Sequence, residues 1–293
     1  MIIELKELSA AQQQHYLQHA IAPRPIALAS TIDEDGNVNL SPFSFFNLFS
    51  TNPPIVVFSP SRRVRNNTIK HTLENVQQTK EVVINIVEYP MVQQMSLSSC
   101  EFTKGVNEFT KAGFTAVPAS KVKPPLVKES RINLECIVRD IYSLGDQGGA
   151  GNLVICEVIV MHIADELLDE HGKMDQTKIN HVARLGANWY TKVDTDSLFE
   201  VEKPNINIGI GFDQLPDAIR LSSFLTGNDL GKLANVSEIP AADASFTDDH
   251  LTHIIEYYSL QPKEMEEELH KYAHTLLEKD KVSEAWQILL YNE

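Results

Sequence analysis

Basic and hydroxyl side chains are concentrated between residues 58 and 72, where they could bind a phosphate group. The stretch "FSPSRR" (58–63) offers two serine hydroxyls and two guanidiniums, and "NNTIKHT" (66–72) follows with Lys70 and Thr72. Arginine binds phosphate through paired hydrogen bonds, hydroxyls add neutral donors, and a helix N-terminus supplies oriented N–H groups. A solvated surface segment has the same composition, so a phosphate site and an exposed loop both remain open.

Just upstream, "SPFSFFN" (41–47) combines three phenylalanines with two serines and a proline. Prolines 42, 53, 54 and 60 exclude a helix here and interrupt any long strand. An apolar wall with a few polar groups is the usual pocket for a flat ligand. The alternative is a loop that fills the core, and because the three phenylalanines cannot all point the same way, we expect at least one of them to be buried.

Short strands are the elements that must position these residues. Branched and alternating sequences predict strands within 24–32, 54–59, 81–87, 132–144 and 152–168, and "GDQGGAG" (145–151) predicts a hairpin turn between the last two. Helices are predicted at 66–79, 90–99 and 106–113. Many strands with few helices between them favour a barrel or sandwich over a doubly wound parallel sheet.

The chain changes character near residue 205, which divides it into a region 1–204 and an acidic α-helical region 205–293. Residues 201–293 carry 17 acidic and 7 basic side chains, a net charge of -10, against -5 for the first 200 residues. Apolar residues recur at helical spacing, and 269–290 reads as a helix hairpin that resembles one tetratricopeptide unit. Both an appendage and a docking module for a protein partner fit this pattern.

Composition and charge narrow the function classes. A net charge of -15 argues against a nucleic-acid partner, because phosphate neutralisation needs surplus lysine and arginine. The sequence predicts neither a signal peptide nor a membrane span, and three widely spaced cysteines indicate a reducing compartment, so a cytoplasmic protein is expected. His250 and His253 stand at helical i, i+3 spacing, but an exposed acidic helix explains them better than a metal site, and no metal is expected.

These segments together resemble a known family. "APRPIALASTIDEDGNVNLSPFSFFNLFSTNPPIVVFSPSRR", "NNTIKHTLENV", "EVVINIV", "PPLVKESRINLEC" and "HVARLGANWY" are similar, in this order and spacing, to the flavin reductase-like family of FMN-binding split-barrel proteins. The resemblance covers about residues 15 to 200 and not the acidic helical region. It implies a mainly β fold, a Greek-key split β-barrel with short helices, and a homodimer that holds FMN near the subunit interface.

The resemblance also implies which residues bind the cofactor. They are Ser41, Pro42, Phe43, Ser44 and Asn47 beside the isoalloxazine and ribityl chain, Ser59, Ser61 and Arg62 near the ribityl and phosphate end, and Asn67, Lys70 and Thr72 at the phosphate. Arg184, Trp189 and Tyr190 are expected to line the pocket as well, across the dimer. Two positions depart from the family pattern: His71 stands where many relatives have aspartate, and Ala187 where a second glycine is typical.

The function that the resemblance implies is NAD(P)H-dependent reduction of flavin. Hydride passes from nicotinamide to flavin N5 by direct contact, so no catalytic acid, base or nucleophile is required. For the same reason the sequence does not separate a reductase from an FMN-binding electron carrier, or from a flavoprotein whose helical region docks a partner. The choice between NADH and NADPH, the electron acceptor and the role of flavin as cofactor or substrate stay open.

Overall fold

The computed structural model describes residues 1–201 and 208–291 and divides the chain into two compact units, Met1–Phe199 (the barrel unit) and Glu200–Glu293 (the helical unit). The boundary expected from the sequence, between residues 204 and 205, lies outside the described residues.

The barrel unit is built on antiparallel strands. They are β1 (Arg24–Pro25), β2 (Ala27–Ile32), β3 (Val38–Phe43), β4 (Phe46–Thr51), β5 (Pro54–Phe58), β6 (Glu81–Ile86), β7 (Ala116–Val117), β8 (Leu126–Val127), β9 (Ile132–Ser143), β10 (Asn152–Ile163), β11 (Val182–Arg184) and β12 (Tyr190–Lys192). Seven of them form the main sheet in the order β3-β2-β6-β9-β10-β5-β4, and β1-β11-β12 and β7-β8 form two small sheets. The predicted hairpin between the two long strands is confirmed as β9 and β10.

Strand β2 shows how this sheet is packed. Alternate side chains of a strand point to opposite faces. Ala27 and Ala29 join one apolar cluster with Phe58, while Ile26 and Leu28 join a second cluster. Because both faces are covered, residues 26–29 (IALA), which begin just before the strand, form a continuous apolar run rather than an alternation.

Four helices accompany the strands in the described part of the barrel unit: α1 (Ala10–Ala20), α2 (His71–Thr79), α3 (Val92–Leu97) and α4 (Glu108–Ala112). Leu73 and Val76 of α2 pack into the first cluster, and Met95 of α3 into the second. The prediction of a helix from residue 66 was wrong at its start, because Asn67 takes a left-handed conformation (φ 56°), which a right-handed helix cannot include.

A buried carboxylate anchors one loop to the sheet. Glu135 on β9 is fully buried and accepts hydrogen bonds from the backbone N–H groups of Ser120, Lys121 and Val122 and contacts Nε2 of His162 at 2.6 Å. Burial alone would raise the pKa of this carboxyl, but the hydrogen bonds outweigh it and lower the pKa to about 2. The group is therefore a satisfied structural anion at neutral pH.

The helical unit has its own core. Its helices are α5 (Asp217–Arg220), α6 (Gly227–Leu233), α7 (Asp249–Tyr257), α8 (Pro262–Leu277) and α9 (Val282–Leu289). Their apolar faces surround Trp286, which is 1% exposed. The side chains of Thr226 and Asp248 cap α6 and α7 by accepting backbone N–H groups, and Pro262 occupies the first turn of α8, as expected for helix starts. Among the described residues, no helix is long and apolar enough to span a membrane.

Candidate functional site

The aromatic segment folds back on the basic segment. Phe43, the last residue of β3, is buried with its ring centroid 5.4 Å from that of Phe58, and the ammonium of Lys70 lies 5.2 Å from the centre of the Phe43 ring. Phe46 is half-buried against the same cluster, whereas Phe45 is 43% exposed. The expectation that at least one phenylalanine enters the core is confirmed.

Lys70 is the most unusual charge in this region. It stands immediately before α2 and its side chain is half-buried. Among residues 1–201 and 208–291, its ammonium has neither a hydrogen-bond acceptor nor a carboxylate within ion-pair distance. Burial and the nearby charge of Arg63 lower its pKa, while Glu101 acts in the opposite direction. A cation in this setting would gain a partner by binding an anion.

The segment 61–70, which we call the Lys70 loop, is held in shape by its own arginines. Arg62 donates from Nε to Oδ1 of Asn67 at 2.6 Å and from Nη2 to the Asn67 carbonyl at 2.7 Å. Arg63 donates to the hydroxyl of Thr68 and to the Ile69 carbonyl. These bonds hold Asn67 in its left-handed conformation, so α2 begins only at His71.

Charge in the Lys70 loop is only partly neutralised. Glu101 lies 3.3 Å from Arg63 and 2.9 Å from Arg65, so one carboxylate serves two guanidiniums. Arg62 is hydrogen-bonded to uncharged groups of Asn67. Lys70 has no carboxylate within ion-pair distance among the described residues. The loop therefore carries a local excess of positive charge in a strongly acidic chain.

Some of the remaining predicted residues already have hydrogen-bond partners within the protein, and others do not. The buried Ser59 hydroxyl accepts the backbone N–H of Asn152, and the buried Thr72 hydroxyl accepts the side-chain amide of Asn39. Asn47 is exposed on the edge strand β4 and accepts the N–H of its neighbour Leu48. Among the predicted FMN residues that the structure describes, the serines Ser41, Ser44 and Ser61 are half-exposed and have no side-chain hydrogen-bond partner, and Pro42 lies between the first two.

His71 is the first residue of α2 and is half-buried. Burial lowers its pKa, with Glu74 raising it and the charges of Arg63 and Lys104 lowering it further. The imidazole is therefore neutral at physiological pH. A neutral ring at this position adds no charge to the Lys70 loop.

The residues that were expected across the dimer lie in a separate place. Arg184 and Tyr190 line a cleft of about 680 Å³, whose described lining contains none of the eleven predicted FMN residues. Trp189 is 72% exposed and is not part of that lining. Sequence reasoning missed Tyr89 and Lys192, which face the same cleft from positions 103 residues apart.

The comparisons with known proteins agree with this architecture. The sequence profile of the flavin reductase like domain matches residues 19–178, which is more than half of the chain. The chain belongs to the flavin reductase-like family. The resemblance noted in the sequence and the predicted fold class are both confirmed, and the family places the chain among flavin-related oxidoreductases.

Relatives of this family cover the barrel unit. A protein of Aquifex aeolicus is 37% identical over 172 residues, which are 59% of this chain and 85% of its own length. Nitrilotriacetate monooxygenase component B from Bacillus cereus is similar in structure with a TM-score of 0.64 and 26% identity, over 69% of this chain and 98% of that one. A Shewanella frigidimarina split-barrel protein, described as a flavin reductase, is similar in structure with a TM-score of 0.58 and 27% identity, over 68% of this chain and 96% of that one.

The family match includes the Lys70 loop and the aromatic segment but ends before Arg184 and before the helical unit. The resemblance noted in the sequence extends further, to about residue 200, and includes Arg184. The helical unit lies outside both and has to be understood from its own residues.

Proposed function

We propose that this flavin reductase-like chain binds FMN at the Lys70 loop and catalyses NAD(P)H-dependent reduction of flavin. The observation that carries the proposal is the Lys70 ammonium, which is half-buried, lies over Phe43 and has no acceptor among the described residues. A phosphate group would supply the missing acceptor through a charge-assisted hydrogen bond.

The residues present fit the parts of FMN. The positive excess of the Lys70 loop suits the terminal phosphate, with the Ser61 hydroxyl as a neutral donor beside it. Ser41, Pro42 and Ser44 provide a half-exposed wall with free hydroxyls next to Phe43, which suits a flat ring with polar edges. The chemical donor set therefore matches the ligand that the family name implies.

The structure supports a revised role for part of the predicted site. Arg62 and Asn67 bind each other, so we assign them to shaping the loop rather than to gripping the phosphate. Ser59 and Thr72 are buried and already accept hydrogen bonds from Asn152 and Asn39, so they support the strands and α2 behind the site. Lys70 and Ser61 are left as the contacts to the phosphate.

When bound, FMN supplies the acceptor for a hydride from the nicotinamide, and this chemistry belongs to the cofactor. The chain has to bind the phosphate, orient the ring and keep one ring face open. Lys70 fixes the phosphate end, while Phe43 limits how far the ligand can enter the core, because its ring is packed against Phe58. No side chain has to donate or remove a proton for the hydride to move.

We also propose that the chain works as a homodimer through the edge of the main sheet. Strand β4 is the last strand in the sheet order and exposes Leu48 (57%) and Phe49 (67%). An edge strand with large apolar side chains is a ready surface for a second copy. Sedimentation of the protein at micromolar concentration should give the mass of two chains, and a monomer would contradict this part of the proposal.

The test of the proposed function is an absorbance spectrum followed by anaerobic addition of NADH or NADPH. The protein, as purified or after titration with FMN, should show bound flavin that bleaches on addition of one of the two donors. Bound flavin that stays oxidised with both donors would contradict the reductase activity and favour an electron carrier. Failure to bind FMN at all would overturn the proposed site.

A further inference from the structure

The cleft beside Arg184, which we call the basic cleft, has a lining without a single acidic residue among those described. It is formed by Tyr89, Val92, Gln93, Ser96, Ser99, Val182, Arg184, Asn188, Tyr190, Thr191 and Lys192. Its volume of about 680 Å³ lies inside the range of about 300–1,000 Å³ that is usual for small-molecule sites. In a chain of net charge -15, a concave surface with two cations and no acid is suited to an anionic ligand.

Each cation of the basic cleft lies over an aromatic ring. The Arg184 guanidinium is 4.5 Å from the centre of the Tyr190 ring, and the Lys192 ammonium is 5.4 Å from that of Tyr89. Arg184 is half-buried and has no carboxylate within ion-pair distance in the ranges 1–201 and 208–291. Lys192 pairs with Asp194 at 3.1 Å, but this ion pair is solvent-exposed and therefore weak enough to exchange for a ligand.

The polar groups of the basic cleft are also available. The side chains of Gln93, Asn188 and Thr191 have no hydrogen-bond partner in the described part of the chain. Together they offer amide and hydroxyl groups that can both donate and accept. Sugar hydroxyls and a nucleobase need donors and acceptors of this kind next to the cations that hold a phosphate.

We propose that the basic cleft binds the adenosine diphosphate half of the NAD(P)H donor, an inference that rests on the proposed reductase function. A diphosphate carries two negative charges, which match Arg184 and Lys192, and the cleft is larger than one aromatic ring needs. A small aromatic carboxylate has a single negative charge and would leave one cation unmatched. Since the two halves of a dinucleotide are joined through the diphosphate, its adenosine half can sit in a cleft whose lining is separate from the Lys70 loop.

A calorimetric titration of the FMN-saturated full-length protein with ADP-ribose tests this inference. ADP-ribose has no nicotinamide, so no hydride is transferred during the measurement. Lys192→Met removes an exposed charge and should leave the fold intact, and it is combined with Arg184→Gln in a double variant. Lys123→Met is the matched control, because Lys123 is exposed and is not part of the cleft. We expect the double variant to bind ADP-ribose at least about tenfold more weakly, Lys192→Met to show part of that loss, and the control to match the parent protein.

Three results would overturn the inference: ADP-ribose affinity that is the same in all variants, binding of benzoate but not of ADP-ribose, or a parallel loss of FMN affinity. The last would assign Arg184 to the flavin site of a dimer instead. Failure of the proposed function looks different. A parent protein that binds no FMN, yet binds ADP-ribose through Arg184 and Lys192, would contradict the reductase proposal and retain a nucleotide site in the cleft.

Discussion

The barrel unit and the helical unit differ in whether their half-buried lysine and arginine side chains have carboxylate partners. In the barrel unit, Lys70 and Arg184 are half-buried without carboxylate partners among the described residues. Arg24 is 7% exposed and donates to the carbonyl oxygens of Ile21 and Leu185 rather than to an acid. These cations are kept where their charge is not neutralised by the protein.

In the described helical unit several basic groups pair with neighbouring acids. Lys232 contacts Asp280 at 2.5 Å, and Arg220 contacts Asp217 at 2.6 Å. The buried Asp229 lies 2.8 Å from Nδ1 of His274. Charged side chains of this unit cap helices and form exposed ion pairs, and acidic residues outnumber basic ones.

Unpaired, half-buried cations cost folding free energy, so their position indicates where an anion belongs. By this criterion the barrel unit has two anion sites, the Lys70 loop and the basic cleft, whereas the described helical unit gives no comparable signal.

The largest effect is expected in the helical core. Trp286→Ala should lower the free energy of unfolding of the helical unit by about 3–5 kcal/mol, since it empties the centre of its apolar cluster. Circular dichroism at 222 nm would follow the loss on heating. Tyr257→Ala is the control, because its side chain is 68% exposed and should change stability little. If Trp286→Ala also lowers FMN affinity at a temperature where helicity is retained, the proposal that FMN binding depends on the barrel unit alone is contradicted.

A smaller loss is expected at the buried acid of the barrel unit. Glu135→Gln should lower the free energy of unfolding by about 2–3 kcal/mol at pH 7, because an amide cannot accept all the N–H groups that the carboxylate accepts. With the pKa of Glu135 lowered to about 2, its contribution is complete above the ordinary value of 4.5 and is lost as pH falls towards 2.

Urea unfolding at several pH values checks both parts of this expectation. The gap between Glu135→Gln and the parent protein should narrow as the pH is lowered from about 5 to 2. Glu34→Gln, an exposed position, should behave like the parent protein throughout. A gap that is constant with pH would mean that the variant perturbs packing rather than the charge.

The smallest effect is expected from removing the helical unit. Deletion of residues 200–293 should leave FMN affinity within about twofold of the full chain. The reason is that the apolar clusters behind the Lys70 loop are built from residues of the barrel unit. Fluorescence titration of FMN measures this. A folded truncation that no longer binds FMN would show that the helical unit completes the site.

Much of the architecture could be predicted from local patterns. The hairpin of β9 and β10 follows from two long alternating runs around a glycine-rich turn, and α8 and α9 follow from apolar residues at helical spacing. Helix α1 was missed although Ser9 and Gln12 form a capping box that the sequence shows. That motif predicts a helix that begins after Ser9.

What the sequence did not reveal depends on contacts between specific side chains. The Arg62–Asn67 bonds shift the start of α2 to His71 and give Arg62 a partner within the loop. Residue type alone does not distinguish a guanidinium that stabilises a loop from one that binds a phosphate. The basic cleft joins Tyr89 to Lys192 across a long stretch of chain, so no local motif indicates it.

If Lys70 binds the phosphate end of FMN, its removal should weaken the binding of FMN but not of riboflavin, which lacks the phosphate. Lys70→Met keeps the apolar length of the side chain and removes its charge, and Lys80→Met at the other end of α2 is the matched control. Fluorescence titration should show FMN affinity lowered about ten- to hundredfold in Lys70→Met, with riboflavin affinity unchanged and the control equal to the parent protein. Equal losses for both flavins, or no loss for either, would show that Lys70 does not bind the phosphate of FMN.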